Sequence, residues 1–405
     1  MRSRSTSFQI AVISNRQAGA FSRAARAAPP SLSPTAHTMP VSLSRLALAA
    51  SFSSLLALAA CGGDGTAATP SLAAAPAPSS STSTTPATPA PTPGKWQSAS
   101  AGQMLDVALG ELHPTQAALG YDQIYYKLGR YELDPTKKFD DFCADEGLGG
   151  LVSGSSGAGS KLSDASSYAC STSDASKRDT SVLNPVVIGP NGDTLYLTDG
   201  HHGLSTYYEV PDGGAALHVH VIVKDNLSGY SGSAFWAEMQ SRGYTRLKDA
   251  RGAAITPAQL PTGLGLKLGM QDDVYRSLVY FTRDIGYSKP TPSTDFLEFY
   301  WADWLRANFP LSDYTLSKLG ATDPDPATAD TGYLNATWNA SLKMVATTDP
   351  VIDGKSGADL GRLAQINAGK KYGKGTFGDL IAPITASKPG KLAYALDYKT
   401  RHGIQ

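Results

Sequence analysis

The chain has 405 residues, with 35 basic and 35 acidic side chains and no formal net charge. Its first sixty residues hold six arginines and no Lys, Asp or Glu, so from Cys61 onward 29 basic residues face 35 acidic ones, a balance of −6. A protein that draws its affinity from phosphate backbones usually carries a basic domain or stripe, and this composition offers neither.

In chain order, residues 43–61 form an apolar run broken by serines, too short and too rich in Ala and Ser for a spanning helix. Its end, Leu58-Ala59-Ala60-Cys61, resembles the lipobox of bacterial lipoproteins, which implies cleavage before Cys61 and lipidation of its thiol. Met39 begins a normal signal peptide with Arg45 as its charged n-region, so the true start is expected there rather than at Met1. Gly62 lacks the carboxylate that would favour retention in the inner membrane, and the expectation is a lipid anchor in the outer membrane, facing the periplasm or the cell surface. The membrane is then a partner through that anchor. Residues 61–95 are dominated by Pro, Ala, Ser and Thr and read as a disordered tether. The expected organisation is a targeting segment over 1–60, a linker over 61–95, a domain over 96–310 and a helical extension over 311–405.

Folding is expected to start near Trp96. Residues 101–112 have apolar positions at helical spacing and end at His113-Pro114. A turn from Pro114 leads into a helix from Tyr121, and Thr115 and Gln116 serve either as its cap or as ligand contacts. Cys143 and Cys170 are an even pair once Cys61 carries lipid, and in an oxidising compartment they are expected to form a disulfide. The bridge closes a loop around Gly- and Ser-rich residues 149–160, and such a closure contributes about 3 to 4 kcal/mol.

Residues 184–189 and 194–198 read as two strands joined by Pro190-Asn191-Gly192-Asp193, a hairpin signal. The second strand stops at Asp199-Gly200, and His201 and His202 then open a short helix. A strand, a glycine turn and a helix start form a pocket for an anion, because first-turn amides are unpaired. A third strand spans 216–224, and helices are expected over 233–242, 272–285, 294–306, 334–346 and 358–368. The basic end, 370–405, is partly irregular.

Several residues carry candidate chemistry. His201 and His202 are expected to share acid and base roles in phosphodiester or nucleotide hydrolysis, with Asp199 orienting one ring. His218 and His220, two apart in a strand, point to one face and could share a divalent metal with Asp199 or His201. Asp272, Asp273 and Arg276 start a helix, Asp273 and Arg276 at ion-pair spacing. Glu298 shares a face with Trp301, and burial there would raise its pKa.

Several blocks, taken together and in order, resemble the ParB-like nuclease family, a branch of the ParB/sulfiredoxin-type fold. They are Leu112-His113-Pro114-Thr115-Gln116 with Gly120-Tyr121, Leu197 to His202, Phe235-Trp236, Leu260-Pro261, Asp272 to Leu278, and Glu298 to Asp303. The resemblance covers about residues 100 to 310 and implies an α+β fold, a small mixed sheet with surrounding helices, to which the helical signals beyond residue 310 add a C-terminal helical layer. It also implies nucleotide or nucleic-acid handling at the strand-turn-helix, with Thr115, Gln116, Gly200, Arg276 and Glu298 as binding residues. In sulfiredoxins a Gly-Cys-His-Arg block at this turn cradles ATP phosphate. Here the block is Gly200-His201-His202-Gly203, so the cysteine and arginine have no counterpart. The rival expectation is a non-catalytic envelope lipoprotein that uses the same pocket for binding.

Overall fold

A computed structural model describes residues 93–321, 331–347 and 351–405. Cys61, Met39 and most of the linker lie outside the described residues.

The sheet is built from β1 (Met104–Ala108), β2 (Leu112–Pro114), β4 (Asn184–Ile188), β5 (Leu195–Leu197) and β6 (His218–Asn226), with the short β3 (Ala118–Leu119) apart from it. Helices α1 (Tyr121–Leu133) and α2 (Pro135–Asp145) precede the disulfide, and α3 (His201–Glu209) follows β5. After β6 come α4 (Gly232–Ser241), β7 (Gln271–Asp272), α5 (Val274–Thr282), α6 (Leu297–Asn308) and α7 (Tyr333–Ala346). Two short helices, α8 (Gly375–Leu380) and α9 (Lys391–Arg401), end the chain. The fold is α+β.

Strand order is β1-β6-β4-β5-β2, with β1–β6 and β4–β5 antiparallel and β6–β4 and β5–β2 parallel. Alternation decides which side chains enter the core: Val219, Val221 and Val223 of β6 are buried, whereas His218 and His220 face outward. The expected hairpin is present, with Val186 opposite Leu197 and Ile188 opposite Leu195.

Residues 101–112 are not the expected helix but β1, a single 3-10 turn and β2. Their apolar positions fit both periods over so short a run, and pairing decided the matter: Met104 to Ala108 align with Ile222 to His218. The expected helix over 358–368 is also absent. Gly361 has φ +70°, and a Cβ there would sit 1.8 Å from the Ser288 carbonyl oxygen, so the segment is bent to pair with Ser288. α5 begins later than expected, because Asp273 is its N-cap, accepting from the amides of Tyr275 and Arg276 at 3.0 Å, while Asp272 pairs in β7 with Leu119.

The C-terminal helices share one apolar core with the sheet. Tyr333, Leu334, Leu392 and Leu396 join Leu119, Ile124 and Leu278 in it. α9 lies against α1, where Tyr125 and Tyr398 stack at 5.6 Å and Gly129 admits the Tyr394 carbonyl, which a Cβ would meet at 2.6 Å. Lys399 pairs with the buried Asp122 at 3.1 Å, and the Tyr333 hydroxyl donates to that same carboxylate at 3.0 Å. The Cys143–Cys170 disulfide is formed, with Cα atoms 5.5 Å apart. Among the described residues no helix is long and apolar enough to cross a membrane.

Candidate functional site

The site grows from the turn between β5 and α3. Gly200 adopts φ +87°, and a Cβ there would lie 1.9 Å from the Asn184 side-chain oxygen, so both conformation and space call for glycine. The turn delivers His201 and His202 directly into the first turn of α3. Both are buried, at 2% and 9% exposure.

Each imidazole is tied to backbone. The Thr115 amide donates to His201 Nε2 at 3.2 Å, and the Gly120 amide donates to His202 Nε2 at 2.9 Å. Thr115 itself is fully buried and donates its hydroxyl to the Leu197 carbonyl at 2.7 Å. The two rings therefore fasten α3 to the segment between β2 and α1. An accepting Nε2 must be unprotonated, which puts the ring hydrogen on Nδ1. Burial pushes His201 down to about 3. Burial, then the positive charge of Arg276, holds His202 well below the usual histidine range.

This geometry changes the role expected for the pair. An imidazole serves as a base through a free lone pair at a pKa near the working pH, and here both Nε2 lone pairs face amide donors and both rings stay neutral. Asp199 does not orient either ring: it is exposed, and its carboxylate accepts from the Gly200 amide at 2.7 Å.

A cavity of about 80 Å³ opens beside the turn. It brings together Gln116, Asp199, His201, His202, Arg276 and Glu298, all singled out in the sequence. Arg276 is 4% exposed and reaches Gln123 at 3.2 Å, while its Nε is buried without a hydrogen-bond partner. Glu298 is ringed by cations, with Lys289 at 3.0 Å, Arg276 at 3.9 Å and Arg283 in direct contact. Burial alone would raise its pKa, as the sequence led us to expect, but Arg276, Lys289 and Arg283 outweigh it and hold the carboxyl down at about 2. The lining itself carries the cations Arg276 and Lys289 beside the carboxylates of Asp199, Asp295 and Glu298, with Asp295 paired to Lys224 at 2.9 Å. No side chain caps the N-terminus of α3, at Gly200, or of α6, at Phe296, and residues of both first turns line the cavity. Gln116 is 3% exposed and holds the Ala118 carbonyl at 2.7 Å.

His218 and His220 lie apart from this cavity's lining. His218 Nδ1 is 2.8 Å from Asp106 and His220 Nδ1 is 2.6 Å from Glu146, so each ring answers to its own carboxylate and the expected shared metal has no ligand set there. Among the described residues no group of three or more His, Cys, Asp or Glu is placed to hold a metal ion. The expected Asp273–Arg276 ion pair is replaced by the helix cap, and the Asp273 carboxylate pairs with Arg306 at 2.7 Å.

Lys289 and Phe296 were not singled out in the sequence, and Phe299 entered only as part of the Glu298 to Asp303 block. Lys289 lies in a Ser-Lys-Pro-Thr-Pro segment that looks like an ordinary loop. A larger cavity of about 550 Å³ shares the residues 294–296 wall. Its Arg246 and Lys248 are already neutralised, by Asp303 at 2.9 Å and by Asp353 at 2.7 Å.

Residues 105–307 match the family model described as "Putative ParB-like nuclease". The crystal structure of protein Atu1540 from Agrobacterium tumefaciens is similar at 23% identity and a TM-score of 0.39, over 60% of this chain and 91% of that one. No curated protein matches the chain.

Proposed function

The chain belongs to the ParB-like nuclease family, and on that premise we propose that it is an exported, lipid-anchored protein whose cavity between α3 and α6 grips the phosphoryl group of a nucleotide or nucleic-acid strand and hydrolyses it there. The observation that carries this reading is the convergence of Arg276, Lys289 and the first turn of α3, which has no side-chain cap, on one small cavity. Oriented amides and cations in a desolvated site stabilise a developing phosphorane charge without reorganising. The unpartnered Nε of Arg276 supplies a donor that the protein leaves unused.

In this reading His201 and His202 are positioning residues. They fix the turn so that Asp199 stands at the cavity. Among the described residues Asp199 lines it without a cationic partner, unlike Glu298, and is the carboxylate we assign to directing the attacking water. Anchoring through Cys61 puts this activity in the envelope, where extracellular nucleic acid is the available substrate.

A second reading is favoured by one observation: both Nε2 atoms are occupied by backbone amides. With no free imidazole base, the cavity would bind the phosphate without cleaving it. Incubating the full-length chain with DNA, RNA and nucleotides, with and without divalent metal, separates the two. Hydrolysis requires turnover by wild type that Asp199→Asn loses while it keeps binding, and Arg276→Gln should lose both. Binding without turnover supports the second reading. Wild-type binding no stronger than that of Arg276→Gln refutes both.

A further inference from the structure

A separate cavity of about 540 Å³ lies between α1, α5 and the C-terminal segment from α8 into α9. Much of its wall, residues 376–394, lies beyond the family match, which ends at residue 307. Its floor is aromatic, with Tyr126 and Tyr280 ring centroids 6.1 Å apart and Tyr394 at 6.2 Å from Tyr126.

Its charges set it apart from the 550 Å³ cavity, where Arg246 and Lys248 are neutralised by aspartates. Arg130 donates to the Tyr126 hydroxyl at 3.1 Å. The Lys391 ammonium stands 5.1 Å from the Tyr280 centroid and 6.0 Å from that of Tyr126. Neither Arg130, Lys388 nor Lys391 forms an ion pair with a carboxylate among the described residues. Arg283 also lines the wall, but Glu298 already holds it. Asp134 and Asp379 are at the lining as well, against those three free cations. Ring faces compensate an ammonium only in part. Desolvation, then repulsion from Arg283, keeps Lys391 below the usual lysine range, so an incoming anion would relieve an existing cost.

We propose that this cavity binds a small organic anion carrying a planar ring, with the anionic group on Lys391, Lys388 and Arg130 and the ring against Tyr126, Tyr280 and Tyr394. A paired cation gains little from a ligand, whereas an unpaired one gains a charge-assisted hydrogen bond. The aromatic floor supplies the surface on which a ring outcompetes water.

The test uses calorimetric titration of the full-length chain with three probes: adenosine 5′-monophosphate, ribose 5-phosphate and adenosine. Titrations are made in the Arg276→Gln background, so that phosphate bound between α3 and α6 does not contribute. We expect the monophosphate to bind there and affinity to fall about tenfold when Lys391→Gln is added, the scale of one charged hydrogen bond. Lys391→Arg should restore it, and ribose 5-phosphate and adenosine should each bind more weakly than the molecule that joins both parts. The proposal is overturned if Lys391→Gln leaves affinity unchanged, or if Arg276→Gln alone abolishes all binding of the monophosphate. Failure of the α3/α6 reading would show differently, as an Arg276→Gln chain that equals wild type in nucleic-acid binding.

Discussion

Replacing His201 with glutamine tests whether burial holds the site's imidazoles neutral. In the folded chain His201 lies at about 3, against an ordinary 6.5. The unfolded chain therefore takes up the proton first, so the stability tied to a neutral His201 is complete above about pH 6.5 and is lost as pH falls toward about 3. At pH 5 the unfolded state has gained about 1.5 pH units of protonation free energy, and at about 1.36 kcal/mol per unit the loss is about 2 kcal/mol. His202, also held well below its usual range, adds a loss of the same sign. Asp272, held above the usual carboxylate range by partial desolvation although its side chain reaches solvent, opposes both, because the folded chain then takes the proton first. The comparison must therefore be between chains rather than between pH values. The introduced glutamine can still accept from the Thr115 amide through its side-chain oxygen, which preserves the bond that the imidazole makes at 3.2 Å. Urea denaturation of wild type and His201→Gln at pH 7 and pH 5 gives four free energies. The wild type should lose about 2 kcal/mol more than the variant between the two pH values, with Asp272 and His202 cancelling. Equal losses in both chains would refute the claim that burial keeps His201 unprotonated.

Three further outcomes are expected. Gly200→Ala should destabilise the chain by about 1 to 3 kcal/mol in urea, since it combines a left-handed residue with a contact at 1.9 Å from Asn184; a neutral result would mean that the turn relaxes freely. Reducing the Cys143–Cys170 bridge should lower stability by about 3 to 4 kcal/mol at unchanged pH, read as a shift of the denaturation midpoint with and without reductant. If Cys61 is lipidated as proposed, the wild type should incorporate labelled fatty acid in a bacterial host and Cys61→Ala should lose it and move to the soluble fraction; an unlabelled wild type or a labelled variant would refute lipidation at Cys61.

How much was legible in the sequence depended on how local the governing physics was. The hairpin over residues 184–198 could be read because turn chemistry and alternation are set within a dozen residues, and the Asp199-Gly200 turn because a left-handed residue at close quarters leaves little but glycine. The Cys143–Cys170 pairing followed from parity. Residues 101–112 could not be assigned, because so short a run satisfies either period until a partner strand is present, and β6 supplied it. The helix expected over 358–368 failed for a similar reason, the approach to Ser288 being a contact between distant segments.

The site divides along the same line. Of the residues singled out in the sequence, Gln116, Asp199, His201, His202, Arg276 and Glu298 line one cavity, whereas Thr115 and Gly200 lie outside its lining. Only the tertiary structure decided what state they are in. Burial and backbone donors 86 and 82 residues away made the histidines neutral acceptors. Arg276, then Lys289 and Arg283, outweighed burial and reversed the expected shift of Glu298. Residue identity is written in the chain, but protonation depends on the dielectric and on charges a few ångströms away, and those neighbours are chosen by the fold.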